Sequence, residues 1–590
     1  MKQFLKTVLA VIVGLILMSF IGIFLISGFV AALSSGMESS GAPIAKEGIL
    51  KLDMSKIIIA EQGSEDFDFQ SMRSGLSEET PKTIGLWQAV QAVNAAAEDP
   101  GVKCIYILPD GGATDIAQLS EFRTALVNFR NSGKPILAYT ISPGTGSYYL
   151  ASVADKIYMT SYQGGMPMML GLSSRLIFLK DLLDLVGVNM QLVRHGKYKS
   201  AGEMYVRNSA SPENLEQNQS MINSLWGSIA GEIAQSRDIR VEDLNKVIDD
   251  LSLCIPEDFV ACGLVDELVD LEGLKEKLAV QAGKEKFKDV KMIPFCDYAA
   301  AKVLPNYKAK DKIAIIFADG EIIDGKGSKE IAGDRFAKLI SEVREDKNVK
   351  AVVLRVNSPG GSVLASEKIK RELDLIKGTK PLVASYGSYA ASGGYWISNN
   401  CDRIFSDKTT LTGSIGVFSI VPEASKAVKN LAHVTVTAVN SNKHSDMYSF
   451  TKPLDKDEYD YLLRSVEVIY DKFTATVAEG RGLKQEYVDE IGQGRVWTGL
   501  QGLENGLVDE IGTLEDAVRY AAGLAGDSDL KAWNITETPK PLGAFESIMS
   551  TIGEKPADND AVSAFVSFCK NNCKATTNMA RIPYEIELVF

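Results

Sequence analysis

Short apolar runs alternate along this chain with longer stretches in which apolar positions recur every three or four residues. In the later half, residues 313–317, 351–356 and 382–385 are dense in Ile, Val, Leu and Ala and predict strands. Residues 335–344 and 366–375 carry the helical period and predict helices between them. Nearly continuous apolar strands separated by amphipathic helices predict a parallel sheet with helices on its faces, an α/β fold. Residues 541–590 lack this pattern and read as a C-terminal extension. At the other end, residues 7–35 hold no charged side chain, and 8–33 are almost wholly apolar. A hydrocarbon core needs roughly 20 such residues, whereas the apolar region of a cleaved signal peptide runs to only ~7–15. One N-terminal transmembrane helix is expected, within a membrane anchor at 1–45. Lys2 and Lys6 precede the span and no basic cluster follows it, so the N-terminus is expected in the cytoplasm and the body outside it.

The same landmarks then occur twice, in the same order. Gly263-Leu264-Val265-Asp266-Glu267 returns as Gly506-Leu507-Val508-Asp509-Glu510. Gly133-Lys134-Pro135 parallels Thr379-Lys380-Pro381, and Asp155-Lys156-Ile157 parallels Asp402-Arg403-Ile404. The apolar run before Asp110-Gly111-Gly112 matches the one before Pro359-Gly360-Gly361. The offsets lie between 243 and 249 positions, which chance explains poorly. A tandem duplication is expected, with one parallel-sheet repeat at 46–305 and a second at 306–540.

Composition narrows the function classes. Of 590 residues, 45% are hydrophobic and 24% charged, which excludes wholesale disorder and a polytopic transporter. The formal charge of -13 argues against a surface that coats phosphates, so no nucleic-acid partner is expected. Three histidines leave little scope for clusters of that residue. Cys569 and Cys573 have no further ligand nearby, so no metal site is expected. Seven cysteines in so large a chain are no disulfide scaffold.

Two glycine-rich turns hold the candidate chemistry. In Arg355-Val356-Asn357-Ser358-Pro359-Gly360-Gly361-Ser362-Val363 a strand runs into Pro-Gly-Gly, and a helix begins near residue 362. Paired glycines there uncover backbone N–H groups at the positive end of a helix, a place for a phosphate or a developing oxyanion. The turn lacks the lysine of a phosphate loop. A tight turn that merely uses glycine is the competing reading. The second feature, Gly387-Ser388-Tyr389-Ala390-Ala391-Ser392-Gly393-Gly394-Tyr395-Trp396, follows a short strand and reads as the start of a helix, although its paired glycines are costly inside one. A serine flanked by small residues is open to close approach; a small-residue packing surface is the alternative.

Together with Leu411-Thr412-Gly413-Ser414-Ile415-Gly416, these motifs resemble the signal peptide peptidase A (protease IV) family, bacterial membrane-tethered serine peptidases of the Clp/crotonase-like superfold. The duplication and the apolar N-terminus match the family's long form over about residues 1–540. The resemblance implies a Ser/Lys dyad, with Ser392 as nucleophile and Lys199, in Tyr198-Lys199-Ser200-Ala201, as base. It implies that Ser414 holds the lysine amine. It also implies cleavage of short apolar peptides such as spent signal peptides. The setting would be the bacterial inner membrane, with the body on the periplasmic side. A homo-oligomer is implied, a tetramer on family grounds, with its sites facing a recessed apolar space. No cofactor is implied.

Residue chemistry agrees with that reading. A serine hydroxyl needs a base, and a lysine of pKa ~10.4 becomes one only when burial disfavours its charge. Ser/Lys pairs are a known alternative to a triad. The N–H groups of Gly361 and Gly393 are expected to bracket the oxyanion. Competing bases are His195, four residues before Lys199, His433, beside a strand-like run at 434–439, and His444. Lys197 lies two residues from Lys199, and spacing alone does not separate them. Within single repeats, Ser392 with Lys443 or Ser147 with Lys199 are conceivable pairs. Lys443 has polar neighbours that would keep it charged, and Ser147 lacks the Gly-Gly that follows Ser392. A dyad divided between the repeats is therefore expected. Cys401, Tyr395 and Trp396 read as packing residues. A non-catalytic membrane-tethered scaffold and a crotonase-type acyl-CoA enzyme stay open as other classes.

Overall fold

Two parallel sheets repeat one strand order. In the computed structural model, which describes residues 44–63, 81–112, 114–327, 330–540 and 579–581, the first sheet runs Glu267–Val269, Lys156–Thr160, Ile136–Thr140, Val102–Leu108, Gly48–Asp53, Met292–Pro294. The second runs Glu510–Ile511, Arg403–Ser406, Leu382–Ala391, Val349–Ser358, Lys312–Asp319, Asn534–Thr538. Every neighbouring pair in both series is parallel. The apolar span at 8–33 and both tail cysteines lie outside the described residues; among those described, no helix is long and apolar enough to cross a membrane.

The landmarks that betray the duplication are the fasteners of the two sheets. Asp155 accepts a hydrogen bond from the N–H of Ile136 at 2.7 Å, and Asp402 does the same for Leu382 at 2.9 Å. Asp266 accepts from Ile157 and Asp509 from Ile404, both at 2.8 Å. Each of that second pair also meets an arginine, Arg237 or Arg481, at the end of the long helix Pro212–Arg237 or Lys456–Arg481. Lys134 ties its sheet to the carbonyl of Ala96, and Lys380 ties its own to that of Val343. Strand ends leave N–H groups that burial would otherwise orphan, so these partners persist in both copies.

The second sheet is buried on both faces. Ile313, Ile315 and Phe317 point one way, toward Leu514–Leu524 and Trp87 of the first repeat. Ala314, Ile316 and Ala318 point the other way, into the larger core with Val363–Lys377 and Gly393–Ser398. A third sheet joins the repeats: Asn189–Arg194 of the first lies antiparallel to Phe418–Glu423 of the second.

Several expectations need correction. The strand predicted at 382–385 continues to Ala391, so residues 387–391 are extended and the helix starts only at Gly393. The predicted helices begin earlier, at Gly333 and Val363, the latter because the Ser362 hydroxyl caps it by accepting from the N–H of Ala365. Residues 434–439 form no strand; they are exposed and have no ladder partner to satisfy an extended backbone. His195 and Lys199 share no helix face, since a turn follows Arg194. Within the C-terminal extension, Met579–Arg581 is a strand antiparallel to Gly360–Ser362.

Asp402→Ala removes the acceptor for the Leu382 N–H at the start of the strand that leads to Ser392. A loss of about 1–3 kcal/mol is expected, read as a lower urea midpoint at unchanged slope.

Candidate active site

Ser392 occupies the junction between strand Leu382–Ala391 and helix Gly393–Ser398, at φ 55°, ψ -111°. That conformation costs a non-glycine residue roughly 1–3 kcal/mol and persists only where the surroundings enforce it. Here they do. The Ser392 N–H donates to Gly413 O at 2.8 Å, and the Trp396 N–H donates to Ser392 O at 2.8 Å. The paired glycines after it are required by contact. A Cβ on Gly394 would sit 2.7 Å from Ser358 O, and one on Gly393 would sit 3.1 Å from the Gly361 nitrogen. The two glycine turns thus pack against each other, and Gly361 itself has φ 154°. As first residue of its helix, Gly393 has an N–H that needs no carbonyl of its own helix.

Lys199 reaches this point from the other repeat. It lies between strand Asn189–Arg194 and the short 3-10 turn Ser200–Gly202. The Arg194 guanidinium donates to its carbonyl at 2.8 Å and pairs with Glu203 at 3.2 Å. Gln217 donates to Tyr198 O at 3.1 Å and to the Ser200 hydroxyl at 3.0 Å. The stem then enters the second repeat through glycines: a Cβ on Gly494 would lie 2.5 Å from Lys199 Cβ, and one on Gly416 would lie 3.1 Å from its Cδ.

The amine ends 2.8 Å from Ser392 Oγ, 3.0 Å from Ser414 Oγ and 3.1 Å from Ser414 O. Lys199, Ser392 and Ser414 are each wholly buried. Loss of solvent pushes the amine well below the ordinary lysine range, toward the neutral form. Ser414 is held in turn, its N–H donating to Arg495 O at 2.7 Å and its hydroxyl reaching Gly494 O at 3.4 Å. An amine pushed toward its neutral form beside a serine hydroxyl is an arrangement that can deprotonate the hydroxyl.

The rival residues stay apart. Lys443 is exposed and paired with Asp457. Lys197 is exposed, on the other side of a turn, with its amine 5.2 Å from the Tyr198 ring centre. His195 stacks on Tyr470 at 4.0 Å, His444 sits 3.1 Å from Glu458, and His433 is exposed. Ser147 is spent within its own helix start, its hydroxyl 2.8 Å from the Gly144 nitrogen. Cys401 is a packing residue whose thiol burial pushes up to about 12. Tyr395 and Trp396 are fully buried. Sequence reasoning missed Gly494, Gln217 and Arg194, whose roles concern backbone clearance and anchoring across the repeats. The adjoining positive φ values of Gln493 and Gly494 mark the place, but only once the backbone is known.

Comparisons with known proteins give the chain's likenesses. The sequence model of "Peptidase family S49" matches residues 128–285 and 375–527. "Protease 4" of Haemophilus influenzae is 35% identical over 86% of this chain and 83% of its own length. "Protease 4" of Salmonella typhi is 34% identical over 84% and 81%. "Serine protease SPPA, chloroplastic" of Arabidopsis thaliana is 30% identical over 78% and 68%.

Lys199→Met keeps the apolar stem and removes an amine that burial disfavours, so a melting temperature at or above that of the parent is expected. The unfolded chain holds the lysine proton up to pH ~10.4, while the folded chain gives it up earlier. Stability should therefore rise with pH across that interval, and the substitution should flatten the rise. A lower melting temperature at neutral pH would show the amine to be net stabilising.

Proposed function

The chain belongs to peptidase family S49 and is a serine peptidase, and we propose that it is a membrane-anchored endopeptidase with a Ser392/Lys199 dyad for short apolar peptides such as cleaved signal peptides. The supporting observation is the desolvated amine 2.8 Å from Ser392 Oγ, reached from the opposite repeat. In the proposed mechanism neutral Lys199 takes the hydroxyl proton as Ser392 Oγ bonds to the scissile carbonyl carbon. The N–H groups of Gly361 and Gly393 stabilise the oxyanion. The C–N bond then breaks, and the Lys199 ammonium protonates the departing amine. Water, deprotonated by the regenerated amine, hydrolyses the acyl-serine. Ser414 keeps the amine aimed throughout.

An extended substrate has a natural place beside the glycine turn. The chain's own residues Met579–Arg581 lie antiparallel to Gly360–Ser362, with Phe418 pairing to the other edge. Peptides commonly bind by adding such a strand. The acyl-CoA reading would need a carboxylate base, whereas the group in reach of Ser392 Oγ is an amine. The scaffold reading leaves a strained serine and a desolvated lysine without a purpose.

We further propose residence in the bacterial inner membrane, the body on the periplasmic side, and a homo-oligomer that recesses the sites. Exposed apolar side chains in both repeats support association: Tyr162, Met166 and Leu170 in one, Val436, Val439 and Phe450 in the other. A body lacking residues 1–45 should sediment as an oligomer; a fully active monomer would contradict this.

The dyad is tested by labelling Ser392 with a fluorophosphonate and by peptide hydrolysis. Lys199→Ala should cost roughly 10⁴ or more in kcat, and Lys443→Ala about twofold at most. The rate should rise with pH along a limb whose midpoint lies below ~10.4, as the buried amine becomes a base. Equal losses in the two variants would reject the assignment.

A further inference from the structure

Arg355 lies in strand Val349–Ser358, five residues before Gly360, and is wholly buried. Its Nε donates to Glu61 at 2.7 Å and its Nη2 donates to the same carboxylate at 3.1 Å. Nη2 also reaches Glu121 at 2.6 Å, and Nη1 donates to the Ser385 hydroxyl at 2.9 Å and to Tyr386 O at 3.1 Å. Glu61 and Glu121 come from the first repeat; Ser385 and Tyr386 lie on the strand that ends at Ser392. Gln118 extends the link, donating to Glu61 at 2.7 Å and accepting from the Ser388 hydroxyl at 3.0 Å.

The cluster sits where the ladder between these two strands fails. Val356 faces Tyr386, but Ser358 faces Ala390, so the strand to Ser392 carries two more residues than its neighbour over the same interval. Pairing with this neighbour cannot set the register through such a bulge, and the pairing on the other side, with Leu411–Gly413, begins only at Tyr389. The bulged residues are held by side chains as well. A Cβ on Gly387 would lie 2.2 Å from Glu61 Oε1, Ser388 binds Gln118, and the Tyr389 N–H donates to the Asn357 side chain at 3.1 Å. Beyond the bulge, one strand delivers Ser392 and the other delivers Gly360–Ser362.

We infer that Glu61 and Gln118 of the first repeat, acting through Arg355 and Ser388, are positioning residues that set Ser392 against the glycine turn. The first repeat therefore gives the site a second contribution besides Lys199, one that touches no substrate. This rests on Ser392 as the nucleophile. A buried ion pair gains little over apolar packing, so stability alone is a weak reason for placing three charged side chains here. A displacement of about 1 Å between nucleophile and oxyanion donors is enough to cost on the order of 100-fold.

The test uses the full chain and reads kcat, KM, fluorophosphonate labelling rate and melting temperature together. Glu61→Gln should lower kcat and labelling rate in step by about 10- to 100-fold, with KM within about threefold. Gln118→Leu and Ser388→Ala, which remove no charge, should each give a smaller loss of the same kind and decide the matter if Glu61→Gln does not fold. Asp155→Ala, at a strand end of the first sheet, is the control: it should lower the melting temperature and leave kcat alone. Wild-type labelling rates in the folded Gln118→Leu and Ser388→Ala proteins, with only the melting temperature changed, would overturn the inference while leaving the dyad standing. Failure of the parent protein to label at Ser392 would overturn both.

Discussion

A lysine amine stripped of water is the constraint on which the rest of this structure turns. An ammonium at the same place would need a carboxylate or solvent, and its three hydrogen-bond partners are two serine hydroxyls and a carbonyl. Those groups suit a neutral amine. Keeping it dry requires that the two repeats close on each other, because Lys199 belongs to one and both serines to the other. The antiparallel pairing of Asn189–Arg194 with Phe418–Glu423, the reach of Gln217 toward Val496 and the glycine walls at 416 and 494 are what that closure consists of.

Duplication explains how such a division arises. Both repeats keep the fasteners of their sheets, Asp155 and Asp402, Asp266 and Asp509, Lys134 and Lys380, because each sheet must satisfy its own strand ends. Chemistry is not under that double demand. In the first repeat the carboxylate of Asp110, beside Gly111-Gly112, accepts from the backbone at Ile141 and Ser142, and Ser147 is turned into its own helix start. In the second repeat Lys443 lies at the surface, paired with Asp457. Each copy retains half of an arrangement, and the halves meet only in the docked pair.

The parallel sheet was legible in the chain because buried parallel strands read as continuous apolar runs, and the repeat was legible because polar fasteners recur at fixed places. Ser392, Lys199 and Ser414 were legible as motifs. The bulge at 387–389 was not. Its residues look like the small-residue start of a helix, and in the fold they lie against Glu61, about 330 positions away, and run into a pairing with Leu411–Gly413. Short-range periodicity carries no trace of a partner that distant, which is also why Arg355 read as one polar residue in an apolar strand rather than as the centre of a buried cluster. The tail strand at Met579–Arg581 was illegible for a related reason: three residues borrow their conformation from Gly360–Ser362.

Strain and buried charge belong to the same account. Ser392 holds a backbone conformation that its own chemistry disfavours, Lys199 is pushed toward its neutral form, and Glu121, which also binds the N–H of Leu514 at 2.6 Å, is pushed up to about 7 by burial, against the pull of Arg355. None of these contributes stability, and each persists because the surrounding apolar packing over-determines it. The larger core cluster, with Trp396 against Phe473 at 4.3 Å and Tyr395 bonded to Leu507 O, supplies that excess directly behind the strained serine. The buried, largely apolar sheet faces of the second repeat are therefore not incidental to its chemistry: they are what allows one turn of chain to be held where an isolated peptide would not stay.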